Sequence, residues 1–162
     1  MRTIKFRGKK VTNGVWAYGS LVYLDENGAA IYVQTGNGSA KVMDLVYVHP
    51  DTVCQFTGFL DKNGKEIYEG DVLRSDEYPY SCIGDKKRDN YYAVVYYCEE
   101  GACFGTVTAK NPSSDVGGIS DGILDDVERE KMQNFEVIGN VHDEEWKQYR
   151  EYIQEEDKEQ RP

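Results

Sequence analysis

The stretch Cys54-Gln55-Phe56-Thr57-Gly58-Phe59-Leu60-Asp61-Lys62-Asn63-Gly64-Lys65-Glu66-Ile67-Tyr68-Glu69-Gly70-Asp71-Val72 decides how this chain folds. Val53 to Phe59 has the aromatic and β-branched content of an extended, half-buried segment, and Asp61-Lys62-Asn63-Gly64 turns the chain back. Asn-Gly fits a type I′ turn or a longer hairpin with a positive-φ residue, while Gly58 fits a bulge or a close backbone approach. Gly70 is expected where a Cβ cannot be accommodated, and Asp71 is expected to accept a backbone N–H within the same turn. Gly58, Asp61, Gly64, Gly70 and Asp71 therefore read as a folding device, with Ile67, Tyr68 and Val72 directed inward.

Working outward to the N-terminus, Leu45-Val46-Tyr47-Val48 is extended and stops at His49-Pro50, since proline supplies no ladder donor. Ala30 to Gln34 precedes it, between turns at Asp25-Glu26-Asn27-Gly28 and Thr35-Gly36-Asn37-Gly38-Ser39. Val15 to Leu24 follows Thr12-Asn13-Gly14, a strong hairpin signal, after the alternating Ile4-Lys5-Phe6-Arg7. The first forty residues predict a β-meander.

Towards the C-terminus, residues 75–90 read as a long polar loop, and Tyr91–Cys98 with Phe104–Ala109 predicts another hairpin. Residues 111–122 are Gly-rich and exposed in character. Ile123, Leu124 and Val127 recur at helical spacing among acidic residues, predicting a short amphipathic helix. Phe135 to Val141 predicts a closing strand. After it, Asp143 suits an N-cap and Trp146, Tyr149 and Ile153 share one face of a predicted C-terminal helix, beyond which an acidic tail frays.

At 162 residues and net charge −10, the chain fits one ordinary domain, or one domain with a small annex, and broad attraction to nucleic acid or an anionic membrane is disfavoured. Charge is uneven: residues 1–24 hold five basic and no acidic residues, whereas residues 143–162 hold four against eight. The opening MRTIKFRGKK has no apolar core and no segment is long enough to span a bilayer, so the expectation is a cytoplasmic protein. Cys54, Cys82, Cys98 and Cys103 match no disulfide framework or zinc spacing and are expected as free thiols, with Cys98 and Cys103 facing each other across a hairpin.

The central block resembles the signature of the YopX family, small proteins typically encoded by bacteriophages and prophages. Ile4-Lys5-Phe6-Arg7-Gly8 with Trp16-Ala17-Tyr18-Gly19, and Phe135-Glu136-Val137-Ile138-Gly139-Asn140-Val141, agree with it in the same order. The resemblance implies a mainly β protein whose C-terminal half is an SH3-like small barrel. The expected organisation is then a β-meander over residues 1–52, the barrel over 53–142, and a helix with an acidic tail over 143–162. The 75–90 loop and an acidic 113–133 insertion depart from the family pattern, and no enzyme activity is implied.

Candidate chemistry is sparse. Glu66, Glu69 and Asp71 cluster in sequence, but Glu66 and Glu69 fall on opposite faces of an extended segment, and no base or nucleophile accompanies them. His49 and His142 read as turn or surface histidines, and Gly36 to Lys41 lacks the ending of a phosphate loop. Lys86-Lys87-Arg88 near Tyr78, Tyr80, Tyr91 and Tyr92 has nucleic-acid-binding composition, opposed by interleaved acidic residues. The expectation is a non-catalytic module, with no cofactor and no metal, that binds a basic protein. Its candidate surface is Tyr78, Tyr80, Tyr91, Trp146, Tyr149 and Ile153. The alternative is an acidic mimic of nucleic acid, and self-association through edge strands or the Trp146 face is a further expectation.

Overall fold

A computed structural model describes residues 3–25, 28–35, 42–75, 91–99, 101–108, 120–123 and 134–150. Its strands are β1 (Phe6–Lys9), β2 (Trp16–Asp25), β3 (Gly28–Thr35), β4 (Val42–Val48), β5 (Cys54–Leu60), β6 (Glu66–Tyr68), β7 (Asp71–Ser75), β8 (Tyr91–Cys98), β9 (Cys103–Thr108), β10 (Ser120–Ile123) and β11 (Glu136–Asn140). They form two antiparallel sheets, ordered β4-β3-β2-β1-β5-β6 and β10-β9-β8-β7-β11. The chain divides into two compact units, Met1–Gly58 and Phe59–Pro162. The division falls inside β5, whose Cys54 and Gln55 pair with Arg7 and Phe6 of the first unit.

In the first unit the meander runs β1 to β4 through consecutive antiparallel pairs. Gly14, at φ 70°, completes the β1–β2 turn with its N–H donated to the Lys10 carbonyl at 2.9 Å. Alternation sends Ala17, Ala29, Ile31 and Val48 into a core also lined by Phe6, Leu21, Val33 and Val46. The sheet then curls: Lys10 bridges Val48, His49 N–H reaches the Lys9 carbonyl at 2.9 Å, and Val11 N–H reaches the Tyr47 carbonyl at 3.2 Å.

The second unit buries its sheet on both faces. Ile67, Leu73, Ala93, Val95, Phe104 and Phe135 form one cluster, and Val72, Val94, Val141 and Tyr149 form the other. This is why Ala93-Val94-Val95-Tyr96 reads as an uninterrupted apolar run and not as an alternation.

The expected SH3-like barrel is not what the strands build. Closure requires the outer strands to pair, and among the described residues β10 and β11 remain at opposite edges of their sheet. Both carry register shifts, between Ser120 and Gly122 and between Val137 and Gly139.

The predicted helices are corrected too. Ile123, the expected start of the acidic helix, belongs to β10, and residues 124–133 lie outside the described residues. Instead of capping a helix, Asp143 accepts the Asn140 N–H at 3.2 Å, and the chain steps through three-residue turns. Asp143, Trp146 and Tyr149 donate their N–H groups to the carbonyls of Asn140, Asp143 and Trp146. A 3-10 turn, Lys147–Tyr149, follows, and residues 151–162, where the rest of the expected helix and the acidic tail fall, lie outside the described residues. Among the described residues no helix is long and apolar enough to cross a membrane.

Candidate functional site

The conspicuous signature residues form two carboxylate clasps. Asp61 Oδ1 accepts the N–H groups of Asn63 and Lys65, both at 2.8 Å, while its Oδ2 accepts Val137 N–H at 3.0 Å. One side chain thus shapes the turn and ties it to β11. Gly64 completes that turn at φ 78°.

Asp71 is fully buried in the second clasp: its Oδ2 accepts Tyr68 N–H at 2.8 Å and its Oδ1 accepts Asn140 Nδ2 at 3.2 Å. The same Asn140 amide donates to the Glu69 carbonyl, and its Oδ1 accepts His142 N–H at 2.9 Å. Gly70, at φ 72°, is packed so closely that a Cβ would press on Asn140 and Val141. Gly58 is also at positive φ, 98°, and exposed. With these oxygens facing backbone N–H groups and the Asn140 side-chain amide, the two aspartates work as fasteners.

The other ionisable groups are similarly held. Glu66 Oε2 accepts the Tyr68 hydroxyl at 2.7 Å. Glu136 takes Lys62 Nζ and Arg74 Nη2 at 2.7 Å each, and hydrogen bonds from these two cations hold its carboxyl below the ordinary glutamate value. His142 Nδ1 lies 2.8 Å from Arg150 Nη2; because arginine only donates, this nitrogen is the acceptor. Among the described residues no three His, Cys, Asp or Glu side chains gather as a metal site.

Of the candidate aromatic surface, Trp146 and Tyr149 are the residues whose side chains are described. Tyr149 is only 7% exposed and stacks on Trp146 with ring centroids 5.6 Å apart, both packed with Val72, Val94 and Val141. Three-residue turns place the side chains at i and i+3 over one another, so the pair lies against the sheet and not on an exposed helix face. Tyr91 contributes backbone to β8 opposite Ser75. Tyr78, Tyr80 and Ile153 lie outside the described residues, as does the Lys86-Lys87-Arg88 segment.

A different surface emerges on the outer face of the first sheet. The register puts Arg7 opposite Tyr18 and Lys9 opposite Trp16, with Ser20 opposite Tyr32, Tyr32 opposite Leu45 and Ala30 opposite Tyr47. Arg7 lies over the Trp16 ring at 4.4 Å from its centroid, Lys9 over the same ring at 5.3 Å, and Lys5 over Tyr18 at 5.7 Å. Tyr18, Tyr32 and Tyr47 stay 42%, 40% and 57% exposed, with Met43 and Leu45 exposed beside them. Sequence reasoning missed this face. Its signals were the +5 charge of residues 1–24 and a strand alternation whose non-core positions are rings and cations.

The model of the family described as YopX protein matches residues 5–145, and the chain belongs to that family. Among solved structures, the chain is similar to the crystal structure of protein EF1440 from Enterococcus faecalis. The two are 19% identical, with 88% of this chain and 95% of that chain covered and a TM-score of 0.48. No protein with curated function matches.

Proposed function

We propose that this member of the YopX family is a non-catalytic binding module that presents the outer face of β1–β4 to a macromolecular partner. One observation carries the reading: a single sheet face holds Tyr18, Tyr32, Leu45 and Tyr47 at 38–57% exposure. Large apolar groups grouped this way are the usual mark of a docking surface. The aspartates of the signature support it from the other side, since Asp61 and Asp71 are engaged in holding turns.

In this proposal the chain is a phage or prophage accessory protein acting in the bacterial cytoplasm. Charge supports a second reading. The first unit holds six basic against four acidic residues, +2, whereas the second holds thirteen against twenty-five, −12. Such an acidic unit suits a basic protein, and in the same way a mimic of nucleic acid.

The test is a pulldown from bacterial lysate with the wild type and a Tyr32→Ala/Tyr47→Ala variant. Retention of one protein at low and high salt, lost in the variant, supports docking on this face. Retention that survives the variant, fades with salt and is competed away by DNA selects mimicry. Substrate turnover abolished by Glu66→Gln in a folded protein overturns the non-catalytic reading.

A further inference from the structure

We infer that Cys98 and Cys103 form a redox site at the tip of the β8–β9 hairpin, one that exchanges with low-molecular-weight disulfides and locks the tip when oxidised. The inference stands apart from the docking reading and does not depend on it. Three features converge. First, the two residues are register partners at the end of the ladder, so their side chains leave the same face of the sheet. Directly opposed positions hold Cα atoms about 4.5–5.5 Å apart, within the span of a disulfide. Second, the sulfurs converge: a methyl placed on Gly101 would sit 2.9 Å from Cys103 Sγ and 3.6 Å from Cys98 Sγ. Third, both cysteines are partly exposed, where a small disulfide can reach them. Cys54 is the contrast, at 1% exposure with its Sγ–H donated to the Thr52 carbonyl at 3.3 Å, a thiol packed into the structure.

The local backbone gives such a lock something to hold. Among the described residues the backbone bond across the tip is Ala102 N–H to the Glu99 carbonyl, long at 3.3 Å. Ala102 sits at φ 49°, a left-handed conformation that costs a residue carrying a Cβ. The tip is therefore weakly held, and a covalent link between positions 98 and 103 restrains it directly. One rung further in, Tyr97 and Phe104 are register partners whose rings meet edge to face with centroids 5.3 Å apart, so the thiols are presented from an ordered rung.

The exchange balances in two steps. One cysteine thiolate attacks a sulfur of the small disulfide R–S–S–R, forming a mixed disulfide and expelling RS⁻. The second thiolate attacks the protein sulfur of that mixed disulfide, closing Cys98 to Cys103 and expelling the other RS⁻. The two protons lost by the cysteines pass to the released thiolates. Two protein thiols are thereby oxidised and one small disulfide is reduced to two thiols, and excess thiol runs the same path backwards. Because the second attack is intramolecular, across the tip residues 99–102, the mixed disulfide is short-lived in the wild type.

The test equilibrates the full folded chain with reduced and oxidised glutathione, quenches it in acid, and reads intact mass, peptide maps and amide hydrogen exchange. The wild type should lose about 2 Da and two alkylatable thiols, map to a Cys98–Cys103 link, and recover with dithiothreitol. Cys98→Ser and Cys103→Ser, each shown to be folded by circular dichroism, should stop at a glutathione adduct of about 305 Da on the remaining tip cysteine. Cys82→Ser should behave as the wild type. Exchange of the amides of residues 98–103 should slow by about tenfold or more on oxidation of the wild type, and stay unchanged in the Cys98→Ser and Cys103→Ser proteins. A link that maps to another cysteine, a mixed disulfide that persists in the wild type, closure only in urea, or amide exchange unaltered by oxidation overturns the inference.

Discussion

Asp61 holds three backbone N–H groups at once, and the burial of the Val137 amide makes that role costly to lose. Asp61→Ala should destabilise the fold by about 2–3 kcal/mol, measured by urea unfolding, because a buried donor is left without an acceptor. At Gly139 the Trp146 indole lies directly over the backbone, and a Cβ there would overlap the ring. Gly139→Ala should therefore expel the indole, shifting tryptophan fluorescence to the red and lowering the melting temperature, with a cost of about 1–3 kcal/mol.

Glu136 supplies a pH dependence at the same scale. Lys62 and Arg74 lower its carboxyl below 4.5, so the stabilisation it contributes is present above that value and disappears as pH falls through the lowered folded value. Comparing the wild type with Glu136→Gln over pH 7 to 3 should show a stability gap that closes on acidification; a constant gap would contradict this.

Among the elements, the β8–β9 hairpin sets two thiols against each other. Cys98 and Cys103 are register partners, and both Sγ atoms lie within contact distance of a methyl placed on Gly101. Directly opposed strand residues have Cα separations of about 4.5–5.5 Å, inside the range a disulfide spans. Oxidised glutathione should therefore close this pair, with loss of two thiols and about 2 Da in intact mass. Cys98→Ser should abolish the change and Cys82→Ser should preserve it.

The strands were legible at this scale because alternation and Asn-Gly turns are local properties. The burial of Trp146 and Tyr149 was not, since spacing at i and i+3 serves a helix and a series of tight turns equally. The outer platform was hidden for another reason. Tyr18, Tyr32 and Tyr47 are separated along the chain and fall at diagonally adjacent positions only when the register of three strands is known. The barrel failed because nothing local in β10 or β11 says whether two edges meet.

Across the whole molecule, charge and apolar surface are partitioned by unit: ring-rich and mildly basic in one, strongly acidic with a doubly covered sheet in the other. The pairing of β7 with β11 has a kinetic side as well. Asn140 and Asp71 are sixty-nine positions apart, so their clasp forms only after a large loop-closure entropy has been overcome. Contacts of that span tend to arise after the rate-limiting barrier. Asn140→Ala should then accelerate unfolding in stopped-flow measurements while leaving the refolding limb of the chevron nearly unmoved, a φ-value near zero. The clasp that fastens the signature to the closing strand is thus a brake on disassembly: it lengthens the native lifetime without hastening arrival.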